Sequence, residues 1–218
     1  MGRINHEQMR ELLKLYFIMG SVNCHKTPEE TLSAAIDGGI TLFQYREKGK
    51  GKLEGNHKLE LGRRLQWLCK ENGVPFIVND DVELAIELDA DGVHIGQEDA
   101  SAVEVREKIG SKILGVSAHT FEEAKLAIEH GADYIGVGPM FPTSSKEDAR
   151  EAGGPAMIKE MRDKGIDIPI VAIGGISLGN IQPIMEAGAD GISIISAIAG
   201  SEAPSKSAHQ LYKEVLQG

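Results

Sequence analysis

The 218-residue sequence predicts an α/β fold, a single (β/α)8 barrel spanning residues 1–218 with a short N-terminal helix ahead of the first strand. Three observations carry this expectation. Short apolar runs alternate with longer amphipathic stretches from Leu15 onward, the pattern of parallel strands joined by crossover helices. The runs number eight. A weak repeat precedes the even-numbered ones: Asp37-Gly38-Gly39-Ile40, Asp89-Ala90-Asp91-Gly92, Gly131-Ala132-Asp133-Tyr134 and Gly188-Ala189-Asp190-Gly191. In three of these a helix ends in a small residue and Ala-Asp before the apolar strand begins, and glycine supplies the left-handed helix exit. Such turns also occur in open doubly wound sheets, but eight βα units favour closure into a TIM barrel.

In chain order, the strands are expected at 15–19, 42–45, 76–78, 92–95, 113–116, 134–137, 168–173 and 192–195. Helices follow, among them 28–37, 58–71 with apolar Leu61, Leu65 and Leu68 on one face, 102–109, 121–130 and 181–187. The last of these is also read as starting near Leu178, just after Gly174-Gly175. The stretch 143–154, rich in small and charged residues, reads as a loop between periodic segments. One domain with one core is the natural expectation at this length.

With 23 basic and 33 acidic side chains the net charge is −10, which repels phosphate backbones and acidic membrane surfaces. A nucleic-acid or membrane partner is therefore not expected. An anionic substrate would have to be held by a few locally placed cations. Cys24 and Cys69 have neither CxxC spacing nor paired histidines nearby, so they read as free thiols. The first residues, with Glu7 and Glu11, lack the apolar run of a secretory signal, and no transmembrane-length segment is present. The expected location is cytoplasmic. The sequence leaves oligomeric state open, a homo-oligomer included.

In a closed barrel the reactive groups sit at the C-terminal ends of the strands. Asp80 and Asp99 leave adjacent strands and can converge on a hard cation; Mg²⁺ takes one or two carboxylates, waters and phosphate oxygens. Asp81 reads instead as the cap of a helix beginning at Val82. Arg46 and Lys48 alternate along the exit of the second strand and Lys146 lies after the sixth, candidate phosphate clamps in an acidic chain. Glu47, between them, should point the other way and pair structurally. Gly174-Gly175 and Ile195-Ser196 offer backbone N–H groups, with a hydroxyl from Ser196, at the seventh and eighth exits, where barrels commonly bind phosphate. His94, inside a strand, reads as a hydrogen-bonded packing residue whose direction depends on register. His119, at the fifth exit, can reach a substrate. Two subsites, one of metal and side-chain cations and one of backbone N–H groups, suggest the joining of two phosphorylated pieces.

The ordered motifs Gln44-Tyr45-Arg46-Glu47-Lys48, Val78-Asn79-Asp80-Asp81, His94-Ile95-Gly96-Gln97-Glu98-Asp99, Gly115-Val116-Ser117-Ala118-His119-Thr120, Gly138-Pro139-Met140-Phe141-Pro142-Thr143, Ile173-Gly174-Gly175-Ile176 and Ile192-Ser193-Ile194-Ile195-Ser196 span almost the whole chain. Together they resemble the thiamine-phosphate synthase family. The resemblance implies a transferase that joins hydroxymethylpyrimidine diphosphate to hydroxyethylthiazole phosphate and releases pyrophosphate, by dissociation before attack. By similarity, Gln44, Tyr45, Arg46, Glu47, Lys48 and Asn79 line the pyrimidine diphosphate, with Ser117 and Lys146 contacting the same substrate. Asp80 and Asp99 hold Mg²⁺, and Thr143, Ser144, Ser145, Gly175, Ile195 and Ser196 hold the thiazole phosphate. Arg46, Lys48, Lys146 and Ser117 then carry the catalytic load, with the three cations suited to the charge gathering on the leaving pyrophosphate. The loop Thr143-Ser144-Ser145-Lys146 has Ser at a position where the family often has Thr, which keeps the hydroxyl. The rivals are a sister enzyme that tautomerises the thiazole on the same barrel without metal, and a silent barrel that only binds a precursor.

Overall fold

The computed structural model describes residues 2–143 and 151–218. Its eight parallel strands are β1 (Leu15–Met19), β2 (Leu42–Tyr45), β3 (Phe76–Asn79), β4 (Gly92–Ile95), β5 (Ile113–Ala118), β6 (Tyr134–Val137), β7 (Ile170–Ile173) and β8 (Gly191–Ile194). They pair in sequence order, and β8 closes on β1 with Leu15 opposite Ile192. The expected strands are all present. Relative to the expected bounds, β3 and β5 run longer, β7 starts later, and β8 lies one residue earlier.

Around them lie α1 (His6–Leu13), α2 (Pro28–Asp37), α3 (Gly55–Glu71), α4 (Val82–Glu87), α5 (Ala102–Ile109), α6 (Phe121–Glu129), α7 (Ala156–Asp163), α8 (Gln182–Glu186), α9 (Ser196–Ala199) and α10 (Pro204–Val215). Local sequence fixes several starts. Thr27 and Glu30 form a capping box with Pro28 in the first turn of α2, and Asn5 with Gln8 does the same for α1. Asp81 Oδ1 accepts from the Leu84 N–H at 3.0 Å, so Asp81 caps α4 as expected. The helix expected at 181–187 begins at Gln182, and not near Leu178. Gly179 stands at φ 88°, and Asn180 Oδ1 accepts from the Ser177 N–H at 3.0 Å, so a turn occupies 177–180 that no α-helix can include.

The repeat ahead of the even strands has a mechanical role. Asp91, Asp133 and Asp190 each turn a carboxylate oxygen back to an N–H in the first two residues of the preceding odd strand: Phe76 at 2.8 Å, Leu114 at 2.8 Å and Ile170 at 2.7 Å. The first copy uses a hydroxyl instead, Thr41 Oγ1 accepting from the Leu15 N–H at 2.9 Å. Arg106 and Arg162 neutralise Asp133 and Asp190 at 2.5 and 2.7 Å. Each of these clasps satisfies a strand-end N–H that would otherwise be buried unpaired.

Strand alternation then sorts the core. Tyr16, Leu42, Ile77, Ile113, Tyr134 and Val171 pack inside the barrel with Met9 and Leu13 of α1, which forms its floor. Arg3 and Arg10 tie this N-terminal segment to Asp133 and Asp190 at 2.7 and 3.0 Å. Phe17, Phe43 and Phe76 face the helices instead, with successive ring centroids 5.8 Å apart. The floor occupies the end of the barrel at which the strands begin, which leaves the opposite end for chemistry.

Candidate active site

A cavity of about 590 Å³ opens at the C-terminal ends of the strands. Lys48 from the β2 exit, Asp99 after β4, Ser117 on β5, Thr143 after β6, Gly175 after β7, and Ile195 with Ser196 after β8 all line it. These seven expected site residues come together although they are scattered over six strand exits.

On the acidic side, Lys48 Nζ sits against Asp80 Oδ2 as an ion pair. That oxygen is buried and takes part in no well-directed hydrogen bond. Asp80 also lies within hydrogen-bonding reach of Asp99, whose Oδ2 accepts from the Gly96 N–H at 2.7 Å. Burial pushes the Asp80 carboxyl up, Lys48 opposing and Asp99 reinforcing the rise. Asp99 falls below the usual carboxylate range, because its hydrogen bonds to Asp80 and Gly96 outweigh its burial. Asp80 stands at φ 61°, backbone strain tolerated best by Asp, Asn and Gly. Two carboxyl groups are thus held together beside one ammonium. Among the described residues no group of three or more His, Cys, Asp or Glu side chains is arranged to hold a metal. A carboxylate pair suits Mg²⁺, which keeps waters and takes substrate oxygens for the rest of its shell.

The rest of the second exit divides between the two faces of the strand. Gln44 points into the barrel, where its Nε2 donates to Tyr16 Oη at 2.7 Å. Tyr45 therefore points out. Its hydroxyl donates to the Lys58 carbonyl at 3.0 Å, and its ring lies under α3 at Gly62. The Tyr45 side chain thus packs on the helix side of the strand. Glu47 receives the Ser21 N–H and the Leu53 N–H, both at 2.9 Å, and the Ser21 hydroxyl. Its carboxylate latches the loops after β1 and β2, the structural pairing that alternation suggested. Arg46 is buried at the exit and Asn79 half-buried at the end of β3. Ser144, Ser145 and Lys146 lie outside the described residues.

On the far side, Gly174 and Gly175 take φ 98° and 65°. A Cβ on Gly175 would stand 2.7 Å from the Pro142 carbonyl oxygen, and one on Gly174 2.5 Å from Pro139 Cβ. The pair lets the β7 exit slide under the β6 loop, which brings backbone from both into one wall. The short α9 starts at Ser196 directly after β8.

Sequence reasoning underrated several wall residues. Gln97 donates to the Ser117 carbonyl at 2.5 Å and holds the β4 and β5 exits together. Ser193, buried on β8, reaches the cavity through the inward alternation of Ile192-Ser193-Ile194, a signal present in the sequence. His119 lines the cavity with its ring anchored by Glu123, Nδ1 to Oε2 3.1 Å. His94 points inward, and its Nε2 lies 3.1 Å from the Ser117 hydroxyl.

A closed eight-stranded barrel with a polar cavity at its strand exits defines a barrel enzyme for small-molecule substrates. Residues 15–198 match the family model described as thiamine monophosphate synthase. A thiamine-phosphate synthase of Geobacillus thermodenitrificans is 61% identical over 217 residues, 100% of this chain and 98% of the relative. One from Geobacillus kaustophilus is 59% identical over 215 residues, 99% and 97% of the two chains. The solved structure of a thiamine phosphate pyrophosphorylase from Pyrococcus furiosus superposes with a TM-score of 0.86 at 36% identity, covering 96% of this chain and 98% of its own. The chain belongs to the thiamine-phosphate synthase family and is a transferase of thiamine biosynthesis.

Proposed function

We propose that the cavity joins a pyrimidine methyl diphosphate to a thiazole phosphate, giving thiamine phosphate and pyrophosphate, with Mg²⁺ held by Asp80 and Asp99. The observation that carries this reading is the Asp80–Asp99 carboxyl pair, Asp80 half-buried and Asp99 exposed to the cavity, with Lys48 against Asp80. Such a pair suits a divalent cation and a diphosphate far better than it suits a neutral ligand. When bound, Mg²⁺ supplies positive charge to a leaving group that gains negative charge.

The chain's own groups do the rest. Lys48, Arg46 and Lys146 neutralise the diphosphate, and Ser117 donates a hydrogen bond to it. Gly175, Ile195 and Ser196, with Thr143, Ser144 and Ser145, hold the thiazole phosphate through backbone N–H groups and hydroxyls. The carbon–oxygen bond to pyrophosphate breaks first, and the thiazole nitrogen lone pair then forms the new carbon–nitrogen bond. No protein nucleophile is needed, and orientation of the two rings supplies much of the acceleration. Neither substrate calls for a membrane or nucleic-acid partner, and no helix among the described residues is long and apolar enough to cross a membrane. Both substrates being small and water-soluble, the reading places the enzyme in the cytoplasm.

The test is a coupling assay with both phosphorylated precursors. Thiamine phosphate and pyrophosphate should appear together with Mg²⁺ and cease with EDTA. Tautomerisation of the thiazole without coupling would transfer the case to the metal-independent sister reaction. Binding without turnover would leave only a silent barrel.

A further inference from the structure

The barrel interior holds a continuous hydrogen-bond chain. Gln44 Nε2 lies 2.7 Å from Tyr16 Oη, Tyr16 Oη 2.9 Å from Tyr134 Oη, Tyr134 Oη 3.0 Å from His94 Nδ1, and His94 Nε2 3.1 Å from Ser117 Oγ. It crosses from β2 through β1, β6 and β4 to β5. Gln44, Tyr16 and Tyr134 are 0 to 1% exposed and His94 8%. The last link lines the cavity.

We propose that this chain is a one-way relay that fixes the tautomer of His94 and thereby makes Ser117 a hydrogen-bond donor toward the cavity. An amide nitrogen only donates, so Tyr16 Oη accepts from Gln44 and turns its own proton to Tyr134. Tyr134 in turn donates to His94 Nδ1. A neutral imidazole that accepts at Nδ1 carries its proton on Nε2. Nε2–H then donates to Ser117 Oγ, and the serine proton is directed at the ligand. Rotating the Gln44 amide by half a turn would reverse every bond and leave Ser117 only its lone pairs for the ligand, the wrong polarity for an anion.

Space and burial support the device. A Cβ on Gly115 would stand 2.1 Å from Tyr134 Cζ and 2.5 Å from His94 Nδ1, and one on Gly136 3.2 Å from His94 Cε1. These two glycines leave the slot in which tyrosine and imidazole meet. Burial raises both tyrosines well above their ordinary range, so they remain neutral donors. Tyr16, Tyr134 and His94 are accordingly positioning residues acting through Ser117. That the anion is a diphosphate rests on the function proposed above; the polarity of the chain does not.

The experiment is ¹⁵N NMR of histidine-labelled full-length protein, with the His94 signals assigned by their loss in His94→Gln. The expected spectrum shows His94 as the neutral Nε2–H tautomer. Tyr134→Phe should abolish that preference and lower kcat about tenfold, the loss expected for one hydrogen bond to a charged group. Combining it with Ser117→Ala should add nothing to the loss from Ser117→Ala alone. Tyr16→Phe should weaken the preference, because Tyr134 no longer receives a proton from Tyr16 and can then accept from His94 as well as donate to it. A wild-type Nδ1–H tautomer would overturn the relay, as would an unaltered tautomer in Tyr134→Phe. If Tyr134→Phe does not fold, the wild-type spectrum decides alone. Absence of coupling activity in the wild type would refute the proposed reaction while leaving the spectrum as the measure of the relay.

Discussion

Replacing Asp80 by Asn separates what the acidic exit does for folding from what it does for turnover. Asn is close in shape and tolerates the φ of 61° at this position, so the backbone loses nothing. Asp80 Oδ2 is buried and has no well-directed hydrogen bond, so ionised Asp80 bears a desolvation penalty that a neutral amide does not. Against this stands the lost ion pair with Lys48, whose side chain is 40% exposed and therefore well screened. The two effects offset, and stability should change by no more than about 1 kcal/mol in either direction. Turnover should fall at least about a hundredfold, the scale on which removal of one buried electrostatic group acts on a charged transition state. Chemical denaturation followed by circular dichroism measures the first quantity. Coupling rates across a Mg²⁺ titration measure the second, with half-saturation moving to higher Mg²⁺. A variant that loses more than about 3 kcal/mol while keeping its Mg²⁺ response would show Asp80 to be structural.

Asp81→Asn should leave turnover within about twofold, because Asn also caps helices and only the partly exposed pair with Lys58 is lost; Asp81→Ala should cost about 1 kcal/mol in the same denaturation assay. Equal losses of activity in Asp80→Asn and Asp81→Asn would remove the distinction between them. Gly115→Ala, which drives a methyl into Tyr134 and His94, should destabilise by about 1–3 kcal/mol and perturb the His94 ¹⁵N signals. Burial pushes the Cys24 thiol up to about 11, so its alkylation by iodoacetamide should be slow at pH 8 and accelerate as pH rises toward that value; Cys69, fully buried, should stay unreacted until the protein unfolds. Rapid labelling of Cys24 at pH 8 would contradict its placement.

The strands were legible because each is a compact apolar run bounded by turn residues, and their exits located the cavity without any further information. Facing was harder. Gln44-Tyr45-Arg46-Glu47-Lys48 reads as one polar motif, yet a period of two divides it, sending Tyr45 beneath α3 and Glu47 to Ser21 and Leu53. His94 shows the same limit from the other side: a four-residue strand carries too few alternations to set its own direction, and only the paired register opposite Gly115 aims the ring at Ser117. The start of α8 at Gln182 agrees with the expected span 181–187 and not with a start near Leu178, because Ser177-Leu178-Gly179-Asn180 forms a turn. The Asp80–Asp99 contact depends on the left-handed backbone at Asp80, which no periodicity reports.

The clasps at the strand starts bear on how the ring is assembled. Each joins residues only 15 to 26 positions apart, Phe76 to Asp91, Leu114 to Asp133, Ile170 to Asp190 and Leu15 to Thr41. Every quarter of the chain can therefore close its own βαβ unit before its neighbours are in place, with little loop entropy to overcome. The pairing of Leu15 with Ile192 spans nearly the whole sequence. That seam is the slow contact by the same reasoning, and folding should proceed by quarters that dock in order, with the β1–β8 junction sealing last.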